Sequence, residues 1–325
     1  MTLPASPRLL IEATLAPAQG HRFQPTGFPD LGAAEYKLHD GTSDVLVESA
    51  QSVANRLEAA CWDTATDTLA TPLAGLPYVE VVDGAGKAVT TSLSEAHRLN
   101  SPYILDPAGS PIREAFDAQF PKETTERPDL RQLARLLLRF DPNSLIHGLF
   151  IAKSEIAGGR LRLPRALTGF VEAHGVLAAE SGGVKNDPVN PSGDAAKGYG
   201  NVPFARTEYT AKSIVAYFNL DLAQIRGYRL GEDAERLLYA LALYKVFRFL
   251  RDGLRLRTAC DLDVQAIRVT RPDGYVLPAV EAVEAALPGL IHACAGYFAN
   301  PSTTVVTTDV GAGARKADKA GKKGK

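Results

Sequence analysis

Residues 181–210, SGGVKNDPVNPSGDAAKGYGNVPFARTEYT, read as a long loop between two apolar, strand-like runs. Gly182, Gly183, Gly193, Gly198 and Gly200 free the backbone to approach a partner closely. Lys185, Lys197 and Arg206 bring positive charge, while Val184, Val189, Tyr199 and Phe204 bring surfaces that wedge against or stack on bases. Single-stranded nucleic acid needs that pairing of charge with apolar faces. A purely solvated loop needs no apolar half, and loops of this length inside compact domains are either functional or disordered.

The rest of the chain sets bounds on what carries this stretch. With 325 residues, 45% hydrophobic and 22% charged, there is enough apolar surface for one large domain or two smaller ones. No run of eighteen apolar residues appears, and MTLPASPRLLIEATL lacks the basic flank and apolar core of a signal peptide, so the expectation is a cytoplasmic protein with no membrane role. Cys61, Cys260 and Cys294 lie far apart with no nearby histidine pair, which suggests neither a disulfide framework nor a metal site. No cofactor motif is present: GxGxxG and Walker sequences are both missing.

Formal charge is −1, unevenly spread: Arg315–Lys325 hold six of the 36 basic residues and one of the 37 acidic ones. The remainder is mildly acidic, which argues against a general polyanion binder while leaving room for a local basic groove. Residues 301–325, ending GAGARKADKAGKKGK, have nothing to bury and read as a disordered basic tail after a single domain spanning 1–300.

Outward from the loop, Ser213–Leu222 and Leu145–Ala152 read as strands, as do Arg8–Leu15, Tyr78–Val82 and Leu262–Thr270, the last strand of the chain. HRFQPTGFPDLGAAEYKL, with its prolines and glycines, reads as irregular, and PKETTERPD as a charged loop before a short helix from Leu130 to Phe140. Apolar spacing of Leu46, Val53, Leu57 and Cys61 predicts a helix from a cap at Thr42, Ser43 or Asp44 to about Trp62. Glu232–Asp252 predicts a long helix, apolar nearly all round except for a stripe with Lys245 and Arg248, and Val280–Tyr297 a final helix interrupted at Pro288. Reduced to its frame, the order is strand, helix, strand, strand, helix, strand with large insertions: an α+β fold of ferredoxin-like or RRM-like type.

Five blocks carry a family resemblance: RFQPTGFPDLG (22–32), LVESAQSVANRLE (46–58), SLSEAHRLNSPYI (92–104), GGVKNDPVNPSG (182–193) and GYGNVPFARTEYTA (198–211). In this order they resemble the backbone subunit, Cas7-type and of the RAMP superfamily, of type I-G (formerly I-U) CRISPR Cascade complexes. The resemblance implies an RRM-like palm with finger and thumb insertions, the thumb at about 181–210. It also implies a homo-oligomer that polymerises as a helical filament along crRNA and presents it to target DNA. The implied partners are the large subunit, a fused handle-binding and processing subunit, and a recruited helicase-nuclease. No catalytic activity and no metal are implied.

Such a subunit holds phosphate and 2′-hydroxyl while leaving base edges free. The helix expected near Asp44 offers amides at its start and a polar face of Ser49, Gln51, Ser52, Asn55 and Arg56; a solvated face is the plainer use of that pattern. Arg22, Gln24, Lys37, His97, Arg98, Arg255 and Arg257 are further backbone-contact candidates, arginine gripping phosphate with two donors. Surface ion pairs account equally well for Lys37, His97, Arg98, Arg255 and Arg257. In the loop, Val184, Lys185, Asn186, Tyr199, Phe204 and Arg206 are the candidates, with Tyr209 read as a buried anchor. The competing class is a RAMP-type endoribonuclease, with His97, His147, Asp30 and Asp44 as its available groups.

Overall fold

The strand Arg8–Pro17 alternates buried Leu9, Ile11, Ala13 and Leu15 with more open positions, the period of a strand that rests one face on a core. In the computed structural model, which describes residues 1–28, 30–122 and 127–309, this strand sits within a seven-stranded sheet. The spatial order is Arg255–Arg257, Cys260–Arg271, Arg8–Pro17, Ser213–Asp221, Leu167–His174, Ser43–Glu48, Glu35–Lys37. Every pairing in it is antiparallel.

Its four main strands, taken along the chain as Arg8–Pro17, Leu167–His174, Ser213–Asp221 and Cys260–Arg271, lie side by side as fourth, first, third, second. Helix Ala50–Ala59 falls between the first and second, and helix Glu232–Asp252 between the third and fourth. These helices touch each other, and Val280–Cys294 packs along the longer one. Their apolar sides, including Val53, Leu57, Tyr244 and Phe249, bury the inward residues of the sheet. The architecture is a mixed α+β fold around a curled antiparallel sheet.

Several sequence expectations change. The region 181–210 is no irregular loop: Leu177–Lys185 pairs with Val202–Thr210 as a two-stranded ribbon, and only 186–201 forms its tip. Ser43–Glu48 is a strand and Ser49 the true helix cap, its hydroxyl accepting from the Ser52 N–H at 3.2 Å. The cause is tertiary: Ser43–Glu48 is paired on both sides, and Asp44 is buried there, accepting from the Gly175 N–H at 2.9 Å and facing His174 Nδ1 at 2.8 Å. Leu145–Ala152 divides into helix Asn143–His147 and strand Leu149–Ile151, with Gly148 turning the chain at φ 79°.

Tyr78–Val82 is a strand, but in a separate sheet with Ala88–Thr91 and Thr303–Thr307. Thr303–Thr307 pairs parallel to it, so Leu262–Thr270 is not the last strand and the region assigned to the tail begins inside the fold; residues 310–325 lie outside the described residues, as do 123–126 of the charged loop. The segment 21–38 carries short strands at Gly27–Phe28, Gly32–Ala33 and Glu35–Lys37. The final helix runs through Pro288 to Cys294, followed by a 3-10 turn at Ala295–Tyr297. Lys245 is fully buried, with Nζ 3.4 Å from the Leu57 carbonyl it donates to.

Candidate nucleic-acid interface

The ribbon of residues 177–210 projects between the ends of Leu167–His174 and Ser213–Asp221. Its strands alternate faces, so directly paired residues share a side. One side carries Lys185 with Val202, Phe204 over Gly183, and Arg206 with Ser181; the other carries Val184 with Pro203. The apolar candidates are therefore divided: Phe204 and Val184 are both about half exposed and point to opposite faces. Gly183 lets the Phe204 ring lie close over the ladder, since a Cβ there would sit 3.0 Å from that ring. The Arg206 guanidinium lies 5.9 Å from that ring's centre, a cation–π arrangement.

The tip is tightly organised around Asp187, whose carboxylate accepts from the N–H groups of Val189, Asn190 and Gly200 at 2.8–3.0 Å. Those donors hold its pKa below the usual aspartate value. Asn201 Oδ1 accepts from the Asp187 N–H at 2.7 Å and thereby closes the loop. Gly198 and Gly200 adopt φ 84° and 83°, which suits glycine. The frame leaves Val189 at 91% exposure, with Tyr199, Lys185 and Asn186 also exposed. No described carboxylate lies within ion-pair distance of Lys185.

Below the ribbon, two Arg–Glu–Arg triads flank the segment Arg22–Gln24. Glu208, at the ribbon's root, faces Arg22 at 3.1 Å and Arg206 at 3.6 Å. Glu48, just before the helix cap, faces Arg56 at 2.8 Å and also pairs with Arg257. The connecting backbone is fixed: Phe23 exchanges N–H···O bonds with Tyr209 at 2.9 Å, and the Gln24 N–H donates to the Ala259 carbonyl at 2.8 Å. Arg257 also donates to the carbonyls of Gln24 and Val47 at 3.0 Å. Each triad holds two arginines against one glutamate.

Other candidates have less freedom. Arg98 grips Glu58 with both nitrogens, Nη2 to Oε2 at 2.9 Å, and so ties the 92–104 block to helix Ala50–Ala59. Ser52 Oγ is committed to Glu48. Gln51 donates to Asn55 at 2.8 Å and accepts from Arg165, which the sequence reading left out. Gln51, Asn55, Trp62 and Ser94 line a cleft of about 610 Å³ between these two blocks. Arg255 is exposed and faces Asp261 at 3.6 Å; Lys37 and His97 are exposed.

The residues missed from sequence are the acids, Glu48, Glu58 and Glu208, all buried. Glu58 had a signal, since it shares the helix face of Val53, Ala54 and Leu57. Of the nuclease candidates, Asp30 is exposed, Asp44 is held by Gly175 and His174, and His147 is buried, its pKa well below the usual histidine value because of burial. Among the described residues no group of three His, Cys, Asp or Glu side chains is placed to hold a metal ion. No described helix is long and apolar enough to cross a membrane.

The site is a sheet with one face on helices and a projecting, partly apolar and basic ribbon. The family described as CRISPR-associated protein GSU0053 (Cas_GSU0053) matches residues 9–178, more than half of the chain, up to the ribbon's root. This chain belongs to that family. A search of curated proteins finds no match.

Among solved structures, it is similar to a chain of a pre-nicking CRISPR RNA-guided surveillance complex. That likeness has TM-score 0.45 and 12% identity and covers 88% of this chain and 87% of that one. A chain of another CRISPR RNA-guided surveillance complex aligns with TM-score 0.36 and 14% identity over 86% of this chain and 75% of that one. Csc2 of Thermofilum pendens aligns with TM-score 0.32 and 10% identity over 89% and 77%.

Proposed function

We propose that this chain is a non-catalytic backbone subunit of a type I-G Cascade complex, cytoplasmic, that binds crRNA along its ribose-phosphate backbone and polymerises on it as a helical filament. The four main strands, in fourth-first-third-second order with two helices on one face, are the RRM-like palm, and residues 177–210 are the thumb. The guide presented this way pairs with target DNA. The large subunit, the fused handle-binding and processing subunit and the helicase-nuclease complete the assembly.

The observation that carries this reading is the ribbon: a regular ladder, apolar and basic on one face, with an ordered hydrogen-bonded tip, that leaves Val184, Val189, Tyr199 and Phe204 about half exposed or more among the described residues. Stacking on one aromatic is worth roughly 1–3 kcal/mol per base, and repeated copies on one strand add by linkage. The two triads at the ribbon's root give phosphate a positive border. In this scheme Arg22, Arg206 and Lys185 touch the guide, while Arg56, Arg98 and Arg257 position the backbone that surrounds it.

Expression with a guide RNA, purification at low salt and a denaturing gel test the reading. Retained guide-length RNA and a ladder of oligomers are expected; RNA-free monomer that cannot take up added guide overturns it. Defined cuts in labelled RNA that vanish in His97→Ala or Asp30→Ala would replace it with the endoribonuclease.

A further inference from the structure

Helix Leu130–Phe140 buries Leu133, Ala134, Leu136, Leu137, Leu138 and Phe140 and turns Arg131, Arg135 and Arg139 outward at every fourth position. Successive guanidinium groups on such a row start about 6 Å apart along the axis, and like charges at that spacing destabilise a helix. At the ribbon's root and around helix Ala50–Ala59 the arginines are answered by acids, as at Glu48, Glu58 and Glu208. Here no described carboxylate lies within ion-pair distance of Arg131, Arg135 or Arg139, nor of Arg229 across the gap.

Arg135, Arg139 and Arg229 line a cleft of about 540 Å³ together with Gln119, Gly231 and Tyr297. Arg229 is held outward by the backbone itself: it adopts φ 53°, a strained conformation for a side chain of this kind. Its neighbours Tyr228 and Leu230 are buried, Tyr228 donating to the Leu145 carbonyl at 2.8 Å. Gly231, at φ 95°, precedes helix Glu232–Asp252, which has no side-chain cap, and a Cβ on Gly231 would lie 3.9 Å from the Tyr297 hydroxyl. Glu232, the first acid of that helix, is taken by Arg236. Tyr297 is 53% exposed beside the arginines.

This cleft lies far from the ribbon. Arg8 pairs with Asp221 at the cleft's end of the sheet, and Leu15 pairs with Ile214 at the ribbon's end. A strand the length of Ser213–Asp221 separates them by about 27 Å. A partner bound here is thus not the segment of nucleic acid on the same subunit's ribbon.

We propose that Arg135, Arg139 and Arg229, with Tyr297, form a second surface that binds single-stranded nucleic acid by its phosphates. Planar guanidinium forks match phosphate oxygens with two donors, and a regular row of charge matches a polymer that carries charge at every step. The phenol ring beside them offers a face for a base, which an acidic peptide has no use for. The surface is independent of guide binding on the ribbon.

The test uses full-length protein carrying Lys185→Ala and Phe204→Ala, so that the ribbon is weakened, with fluorescence anisotropy of labelled oligo-dT across a salt series. Adding Arg135→Ala, Arg139→Ala and Arg229→Ala is expected to weaken the remaining binding about tenfold or more and flatten the log-log salt slope by about 2, or 0.7 for each phosphate contact on a single strand. Tyr297→Ala weakens binding with the slope intact, and Tyr297→Phe restores it. Should the triple variant fail to keep the parent's thermal midpoint, Arg135→Ala alone carries the test through its slope change of about 0.7. An unchanged slope, no residual binding in the ribbon-weakened parent, or displacement of oligo-dT by polyglutamate at equal charge each overturns the proposal, the last by making this an acidic-protein docking surface.

Discussion

The two Arg–Glu–Arg triads have the same composition and different work. Around Glu48, Arg56 and Arg257 are 28% and 25% exposed, and their donors also hold the carbonyls of Leu256, Gln24 and Val47. Around Glu208, Arg22 is 54% exposed and Arg206 34%, and the backbone nearby is already satisfied by the ribbon ladder. A charge pair withdrawn from water contributes through what it positions and is hard to remove without harm; an open one contributes little to stability and keeps its cations available. The inner triad therefore builds the scaffold, and the outer triad leaves its arginines open to solvent.

Glu48→Gln puts an amide N–H against Arg257 and leaves both arginines without a counter-charge; urea denaturation should show a loss of about 3 kcal/mol. A neutral outcome would collapse the distinction between the triads. On the ribbon, Phe204→Ala should weaken RNA binding by about 2 kcal/mol with the thermal midpoint unchanged, since its ring is half exposed and lies outside the buried core. A midpoint drop would show that the ring is structural.

Glu208→Gln sharpens the contrast in the other direction. Stability should fall by about 1 kcal/mol or less, while the release of Arg22 and Arg206 tightens RNA binding and steepens its salt dependence. If binding weakens, those arginines depend on Glu208 for their placement and the outer triad is a scaffold as well.

Asp141 shows what a buried acid does without any arginine. It is fully buried, accepts only from Ser144 and Asn143, and burial raises its pKa to about 6. A carboxyl whose folded pKa lies above its unfolded one stabilises as pH falls through 6, because only the folded state takes up the proton. His147, held well below its usual value, acts oppositely over the same range. Asp141→Asn removes the first contribution alone, so acidification from pH 7.5 to 5 should cost the variant about 1 kcal/mol more than the parent by urea midpoint. Parallel profiles would mean that Asp141 titrates normally.

Much of the frame was legible because it rests on local periodicity. Leu130–Phe140, Glu232–Asp252 and Tyr78–Val82 are found within the bounds their spacing predicts. Leu167–His174 was invisible although its burial alternates strictly, because two of its inward positions, Gly169 and Ala173, are small and give no apolar signal. Ser43–Glu48 reads as helix because Leu46 continues the spacing of Val53 and Leu57, and only Asp44's contacts with Gly175 and His174 decide otherwise. The ribbon's residues were recognisable as chemistry but not as a ladder, since glycine, proline and charge obscure its alternation. Which arginines are free was unreadable in principle: that depends on where Glu48 and Glu208 arrive in space.

The strand Arg8–Pro17 is flanked by Ser213–Asp221 and Cys260–Arg271, so during synthesis it waits about 200 to 250 residues, by the numbering of its partners, before both neighbours exist. Pairing over such separations makes folding slow. The inner triad shares the delay, because Arg257 must be synthesised before Glu48 is enclosed. A nascent chain that ends before Arg257 thus lacks the floor beneath the ribbon.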